Sequence, residues 1–323
     1  MRRVHSLKIP RFVSRATTAP PYCGRGWLNR RIMALSCVLV LASCATAAAQ
    51  DIGFSKTKKP KPTPCSTFVS KCGCTITKSG FYQVQKALST PGMLNPQDNS
   101  CIAVSAPRVT LSLQGYSIEN TLTSIGSGIH LNASAANSIV AGGGSIITGW
   151  ENGIEDEASN VIITNVVTDY NNNAGILVQD ASNVTVNQFG SQNNKQYGVL
   201  LNGTTYSQIS NGTVDPLSSG SGIGNNAVAG ISVAPASKPV KPDNGPRSFG
   251  NCVMGNSGFG IQLQGNVHNA KVTGNEVTGN TNGDLSDLSN DCGSNLWFGN
   301  EFGTGSPATC TGSSVTITAS TCP

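Results

Sequence analysis

Charge is scarce in this sequence: Asp, Glu, Lys and Arg make up 11% of 323 residues, aromatic side chains 6%, and histidine occurs 3 times. So few rings exclude a core crowded with aromatics, while 38% hydrophobic residues exclude wholesale disorder. No apolar run reaches the ~18 residues of a spanning helix, so no transmembrane helix is expected. The net charge of +5 is concentrated at one end: residues 1–49 hold 8 of the 21 basic residues and no acidic one, and the remainder counts 13 basic against 16 acidic. Nucleic acid needs a basic patch on the folded part, and that part is acidic, so nucleic acid is excluded as a partner. Ser-His-Asp and phosphate-loop motifs are also missing. What is plentiful is Gly, 37 residues, set among Asn, Ser and Thr between short apolar phrases.

The first 49 residues have the layout of an export signal. Arg30-Arg31 precede the apolar stretch Ala34–Ala42, and Ala45-Thr46-Ala47-Ala48-Ala49 supplies small residues for cleavage after Ala49. Leu41-Ala42-Ser43-Cys44 also fits a bacterial lipobox, which would lipidate Cys44. Either route delivers the chain outside the cytoplasm: secreted, periplasmic or at the outer surface. Eight cysteines remain beyond the leader, an even number suited to full pairing in an oxidising compartment. Cys72-Gly-Cys74 is too tight for a zinc knuckle. The expected staples are Cys74–Cys101 at one end and Cys292–Cys310 at the other.

A repeat decides the fold class. Gly-(Ile/Val)-x-apolar recurs as Gly128-Ile129-His130-Leu131, Gly175-Ile176-Leu177-Val178, Gly198-Val199-Leu200-Leu201, Gly230-Ile231-Ser232-Val233 and Gly260-Ile261-Gln262-Leu263. Gly153-Ile154-Glu155-Asp156 fits with a polar last position. The Gly-to-Gly steps are 25, 22, 23, 32 and 30 residues, the interval of a stacked solenoid. Strands of three to five residues without a Leu-rich consensus exclude leucine-rich repeats. The pattern predicts an all-β, right-handed parallel β-helix of about eight coils with disulfide-stapled end caps. Inward Ile, Val and Leu would stack along the axis, Asn would ladder in the turns, and Gly would supply positive φ at tight corners. Residues 1–49 then read as leader, 50–64 as a Lys/Pro-rich tether, 65–100 as N-terminal cap, 101–303 as the β-helix and 304–323 as a C-terminal tail. Trp297, Phe298 and Phe302 are expected to plug the far end.

From about Cys72 to Cys310 the sequence resembles right-handed parallel β-helix repeat proteins of the pectin-lyase-like superfamily, and in particular an uncharacterised secreted bacterial subgroup. The resemblance rests on Cys74-Thr75-Ile76, on Val109-Thr110-Leu111-Ser112-Leu113-Gln114-Gly115, and on a closing Cys292-Gly293-Ser294-Asn295-Leu296-Trp297-Phe298-Gly299-Asn300-Glu301-Phe302. It implies a polysaccharide ligand. The acid, Gly-His-Gly and Arg-Ile-Lys motifs of its polygalacturonases and the Asp-Pro-His-Asp string of its alginate epimerases do not occur. Of the Arg base that pectate lyases use, Arg108 and Arg247 are the only candidates beyond the leader.

Candidate chemistry lies at the position between the two apolar residues of each phrase, which alternation points outward. His130 and Glu155 occupy it on adjacent coils, as an acid/base pair or as a surface ion pair. Glu155-Asp156-Glu157, with Asp180 on the next coil, is a possible calcium ligand set. Glu155 with Asp180 is also the one pairing suited to inverting hydrolysis. The longer steps place insertions near Asn211–Gly224 and Pro235–Arg247. Lys195, Lys238, Lys241 and Arg247 are the candidate contacts to an anionic glycan. A glycan-binding surface module leads this reading. The alternatives are a polysaccharide lyase or glycoside hydrolase with non-standard motifs, and a structural surface spike or adhesin.

Overall fold

The computed structural model describes residues 61–90, 94–121, 125–212, 223–235, 245–289, 294–306 and 308–311. All belong to one compact unit, Lys58–Pro323. Cys44, Lys238, Lys241 and Cys292 lie outside the described residues. No helix among the described residues is long and apolar enough to cross a membrane.

The described chain is a right-handed parallel β-helix. One 11-stranded sheet takes a strand from every coil, among them β3 (Cys74–Ile76), β6 (Ile102–Val104), β9 (Ser127–Leu131), β11 (Asn152–Asp156), β13 (Ala174–Gln179), β15 (Tyr197–Asn202), β18 (Ala229–Ala234), β21 (Phe259–Leu263) and β24 (Gly283–Asp287). The remaining strands form a branched 16-stranded sheet. It is branched because β10 (Ile139–Thr148), β12 (Ile162–Asp169) and β14 (Thr185–Gln192) run unbroken round a corner that other coils interrupt. Asn165 and Gln188 turn that corner at φ 55° and 51°. A complete coil precedes Cys101, because β3 and β4 (Gly80–Val84) pair in parallel with β6 and β7 (Val109–Ser112). Ile76, Val84 and Leu88 give it apolar rungs of its own.

Alternation along each strand builds the core. Ile102, Ile129, Ile154, Ile176, Val199, Ile231, Ile261 and Leu285 occupy equivalent places up the first sheet, all fully buried. Each such side chain contributes roughly 1.5–3 kcal/mol of transfer free energy. A second column runs Val104, Leu131, Asp156, Val178, Leu201, Val233, Leu263 and Asp287. Two aspartates therefore stand where the register asks for aliphatics.

Glycine supplies positive φ at corners as expected, for example Gly115, Gly149 and Gly274 at φ 78°, 81° and 62°, but the glycine of the repeated phrase has a different cause. Gly128, Gly153, Gly175, Gly198, Gly230 and Gly260 do not adopt positive φ. They are small because the next coil is close: a Cβ on Gly175 would lie 2.1 Å from Ser191 Oγ and 2.8 Å from the Gly198 carbonyl oxygen. The other positive-φ positions are held chiefly by asparagine, for example Asn137, Asn160 and Asn183 at φ 62°, 61° and 57°, whose short amide tolerates that region.

The amide ladders expected of the recurrent Asn run through buried turns. Asn171 donates its Nδ2 to Asn194 Oδ1 (3.0 Å), Asn194 to Asn226 (3.0 Å), Asn226 to Asn256 (2.9 Å) and Asn256 to Asn280 (2.7 Å). Each receiving oxygen also accepts the donor's backbone N–H at 3.0–3.1 Å. Asn280 passes both donors to Asp284 Oδ1, while Asp284 Oδ2 accepts the amides of Gly303 and Thr304 at 2.9 Å. A second ladder joins Asn251, Asn275 and Asn300 (both 2.9 Å).

The N-terminal staple differs from the expected Cys74–Cys101 bridge. Cys74 is bonded to Cys65, and Cys101 to Cys72. The reason lies in the coil: Cys74 registers with Ile102, one residue past Cys101, and Gly73 donates its amide to the Cys101 carbonyl (2.7 Å), which sets Cys72 rather than Cys74 beside Cys101. Cys252 and Cys310 are also disulfide-bonded; the pairing of Cys310 with Cys292 falls outside the described residues. At the far end Phe302 is buried and Trp297 packs against the core, but Phe298 is 72% exposed. Trp297 continues the inward column through Val272, so its neighbour Phe298 must face outward.

Candidate functional site on the coil flank

Outward positions of the first sheet form a column of Thr75, Ala103, His130, Glu155, Leu177 and Leu200. The structure thus makes His130 and Glu155 direct cross-coil neighbours, as the spacing predicts. Thr75 and Ala103 are buried because the loop before β6 lies over them, anchored by Asn95 Nδ2 donating to Thr75 Oγ1 (2.7 Å). That loop brings in a residue the sequence reading missed. Asp98 Oδ2 is 2.7 Å from His130 Nδ1, and Asp98 Oδ1 is held by the Ser100 amide (3.0 Å) and hydroxyl (2.7 Å). Asp98 sits outside every repeated phrase, so no periodicity marks it.

With Nδ1–H engaged by Asp98, the other ring nitrogen turns to the carboxylates. His130 Nε2 is 3.7 Å from Glu157 Oε1, an ion-pair distance too long for a hydrogen bond, and this buried nitrogen has no hydrogen-bond partner. Ser127 Oγ (2.6 Å) and Asn152 Nδ2 (3.3 Å) both donate to Glu155 Oε2. Ligand atoms of His130, Glu155 and Glu157 lie within 4.8 Å of one another.

Burial alone would depress the His130 pKa, but the Asp98 hydrogen bond and the charges of Asp98, Glu155 and Glu157 outweigh it and hold it above its ordinary value. Burial alone would raise Asp98, yet its bonds from His130 and Ser100 bring it below the usual carboxylate range.

The expected calcium set does not assemble. Residues 152–156 are strand rather than turn, so Asp156 points opposite to Glu155 and Glu157, into the core. It is fully buried between Leu131 and Val178, with Oδ1 accepting the Ala158 amide (3.0 Å) and Oδ2 without a partner. Burial pushes its pKa up to about 7, against the Ala158 bond and the His130 charge. Asp287, the other aspartate of that column, differs: Trp297 Nε1 donates to it at 3.0 Å, as do the Ser289 amide and hydroxyl. Asp180 lies at an exposed turn after β13. Glu155 and Glu157 instead meet a histidine, and an imidazole suits transition ions better than calcium.

The cations are dispersed. Lys195 is exposed in the turn between β14 and β15, and Arg247 is exposed at the start of β19 (Arg247–Phe249) on the other sheet, in register with Gln208 and Lys271. Neither joins His130.

No protein-family model matches the chain, and no curated protein matches it. Among solved structures it is similar in fold to the periplasmic alginate epimerase AlgG, at 17% identity and TM-score 0.43, covering 69% of this chain and 64% of that one. It is similar also to the enzymatically active domain of bacteriophage CBA120 tailspike protein 2 (13%, TM-score 0.45, 74% and 38%) and to the Dettilon tailspike protein (14%, TM-score 0.46, 72% and 53%). In each case the chain spans less than two thirds of its neighbour.

Proposed function

We propose that this chain is an exported β-helix protein that engages polysaccharide along the flank carrying His130, Glu155 and Glu157. The reading is supported by one observation above the others: titratable side chains converge on a single patch of a rigid sheet, held by Asp98, Ser127 and Asn152. Such a patch offers hydroxyl-rich ligands both donors and acceptors at fixed positions. The export leader and the paired cysteines agree with a ligand met outside the cytoplasm.

The Asp98–His130 pair supports a second reading, acid–base catalysis on the same glycan. A carboxylate on Nδ1 fixes the ring, and a neutral imidazole would then present Nε2 as the base. The test is the full chain against a panel of acidic and neutral polysaccharides, following binding, reducing ends and the ultraviolet absorbance of unsaturated products. Binding without turnover, weakened in Glu155→Gln and His130→Ala, is the expected result. Turnover abolished in the same variants would establish the enzyme. Absence of both would overturn the glycan reading and favour a structural surface role.

A further inference from the structure

We propose that His130 Nε2, Glu155 and Glu157 form a binding site for a divalent transition ion of the zinc class. The assignment is independent of the glycan reading.

The imidazole of His130 is oriented by a carboxylate behind it. Asp98 lies 2.7 Å from Nδ1, which makes Nδ1 the protonated nitrogen and turns the Nε2 lone pair outward, toward the two glutamates. A buried ring nitrogen with no hydrogen-bond partner is an exception that needs an explanation. Glu157 provides it only in part: in the protonated ring Nε2–H faces Glu157 as an ion pair, but 3.7 Å is beyond hydrogen-bond range, and in the neutral ring the Nε2 lone pair has no partner at all. A cation between them satisfies nitrogen and oxygen together.

The separations fit. Tetrahedral zinc with bonds of 2.0–2.2 Å puts neighbouring ligand atoms roughly 3.3 Å apart. His130 Nε2 and Glu157 Oε1 are at 3.7 Å, and the whole set spans 4.8 Å, within reach of small rotations of two Glu side chains. The supporting contacts have the form that metal sites require. The histidine gives its far N–H to a carboxylate, itself anchored by Ser100. Glu155 has one oxygen fixed by Ser127 and Asn152, which leaves Oε1 for the ion. Three protein ligands on an outward face leave a fourth position for water or for a sugar hydroxyl. Calcium is disfavoured, because it wants six to eight oxygens and here one of the three ligands is nitrogen.

The experiment is titration of chelator-treated full-length chain with Zn2+, Co2+ and Ca2+ by calorimetry, with the visible spectrum of the Co2+ form. One Zn2+ per chain is expected at this site. The Co2+ form should show a tetrahedral or five-coordinate spectrum without a thiolate charge-transfer band, which separates the site from the cysteines of the leader. Asp98→Asn should weaken Zn2+ by about 10- to 100-fold, the usual effect of removing a carboxylate behind a ligating histidine. His130→Gln and Glu157→Gln should abolish this binding step. Glu157 has 37% side-chain exposure, so its variant keeps the test sharp if the His130 variant folds poorly. Equal uptake by wild type and Glu157→Gln, preference for Ca2+ over Zn2+, or no uptake of any ion would each overturn the assignment. Glycan binding is measured separately, so loss of one activity leaves the other readable.

Discussion

Replacing Asn226 by Ala tests whether the buried amide ladder holds the coils together. Asn226 is fully buried. Its Oδ1 accepts two bonds from Asn194, one from the backbone (3.1 Å) and one from the side chain (3.0 Å). Its Nδ2 donates to Asn256 Oδ1 (2.9 Å) and to the Ser191 carbonyl (3.1 Å). After truncation the Asn194 side chain still reaches Ser191 Oγ (3.1 Å), and Asn256 Oδ1 still accepts the Asn226 amide. The Asn194 backbone N–H keeps nothing. One orphaned buried donor costs about 1–3 kcal/mol, and each lost but partly replaced bond about 0.5–1.5 kcal/mol, so a total loss of roughly 3–5 kcal/mol follows. The control is Asn183→Gly, which keeps the left-handed corner and removes only an exposed bond to Asn160; it should stay within about 0.5 kcal/mol of wild type. Urea unfolding with disulfides intact, read at equal m-value, compares the two. Amide exchange at Asn194 gives a local readout. If Asn226→Ala unfolds at the control's midpoint and Asn194 stays protected, the ladder carries no such load.

Three further outcomes are expected. In metal-free protein the raised pKa of Asp156 means that its protonated form is the one the fold accommodates. Its contribution is fully present below about pH 4 and is lost as pH rises toward about 7, where the loss amounts to roughly 4 kcal/mol. Asp156→Asn should therefore gain on wild type across that window and level off above it, in denaturant melts from pH 3 to 8; a pH-independent difference would refute the burial argument. Gly175→Ala forces a methyl against Ser191 Oγ, Thr168 Oγ1 (2.3 Å) and the Gly198 carbonyl, and should cost at least about 1–3 kcal/mol in the same melts. Removing the Cys72–Cys101 bridge, of sequence separation 29, should cost about 3–4 kcal/mol, more than removing Cys65–Cys74, of separation 9, as read from paired Cys→Ser variants.

What the sequence made legible was whatever repeats. Gly-Ile-x-apolar marks the first strand of each coil because the same steric demand returns every turn, and alternation within the phrase placed His130 beside Glu155. Alternation also bears on Asp156: it registers with Leu131 and Val178 and so faces inward, although three successive acidic residues suggest a ligand turn. Asp98 was not legible, since its place depends on a loop tied across the flank by the Asn95–Thr75 bond, a tertiary contact without a period. Nor was the disulfide map. Cys65, Cys72, Cys74 and Cys101 fall within one and a half coils, and only the register of β3 against β6 decides which pairs meet.

The ladder from Asn171 to Asp284 has a direction. Every side-chain amide in it turns its oxygen toward the N-terminal coil and its NH2 toward the C-terminal one, so five amide dipoles add head to tail instead of cancelling. The sum leaves partial positive charge at the Asn280 end, much as aligned peptides do at the start of an α-helix. The residue found there is Asp284, the one member with only acceptors to offer. Its carboxylate halts the row chemically, having no proton to hand on, and neutralises it electrically. An asparagine at position 284 would remove that compensating charge and, with an NH2 in place of Oδ2, would also turn a donor against the amides of Gly303 and Thr304.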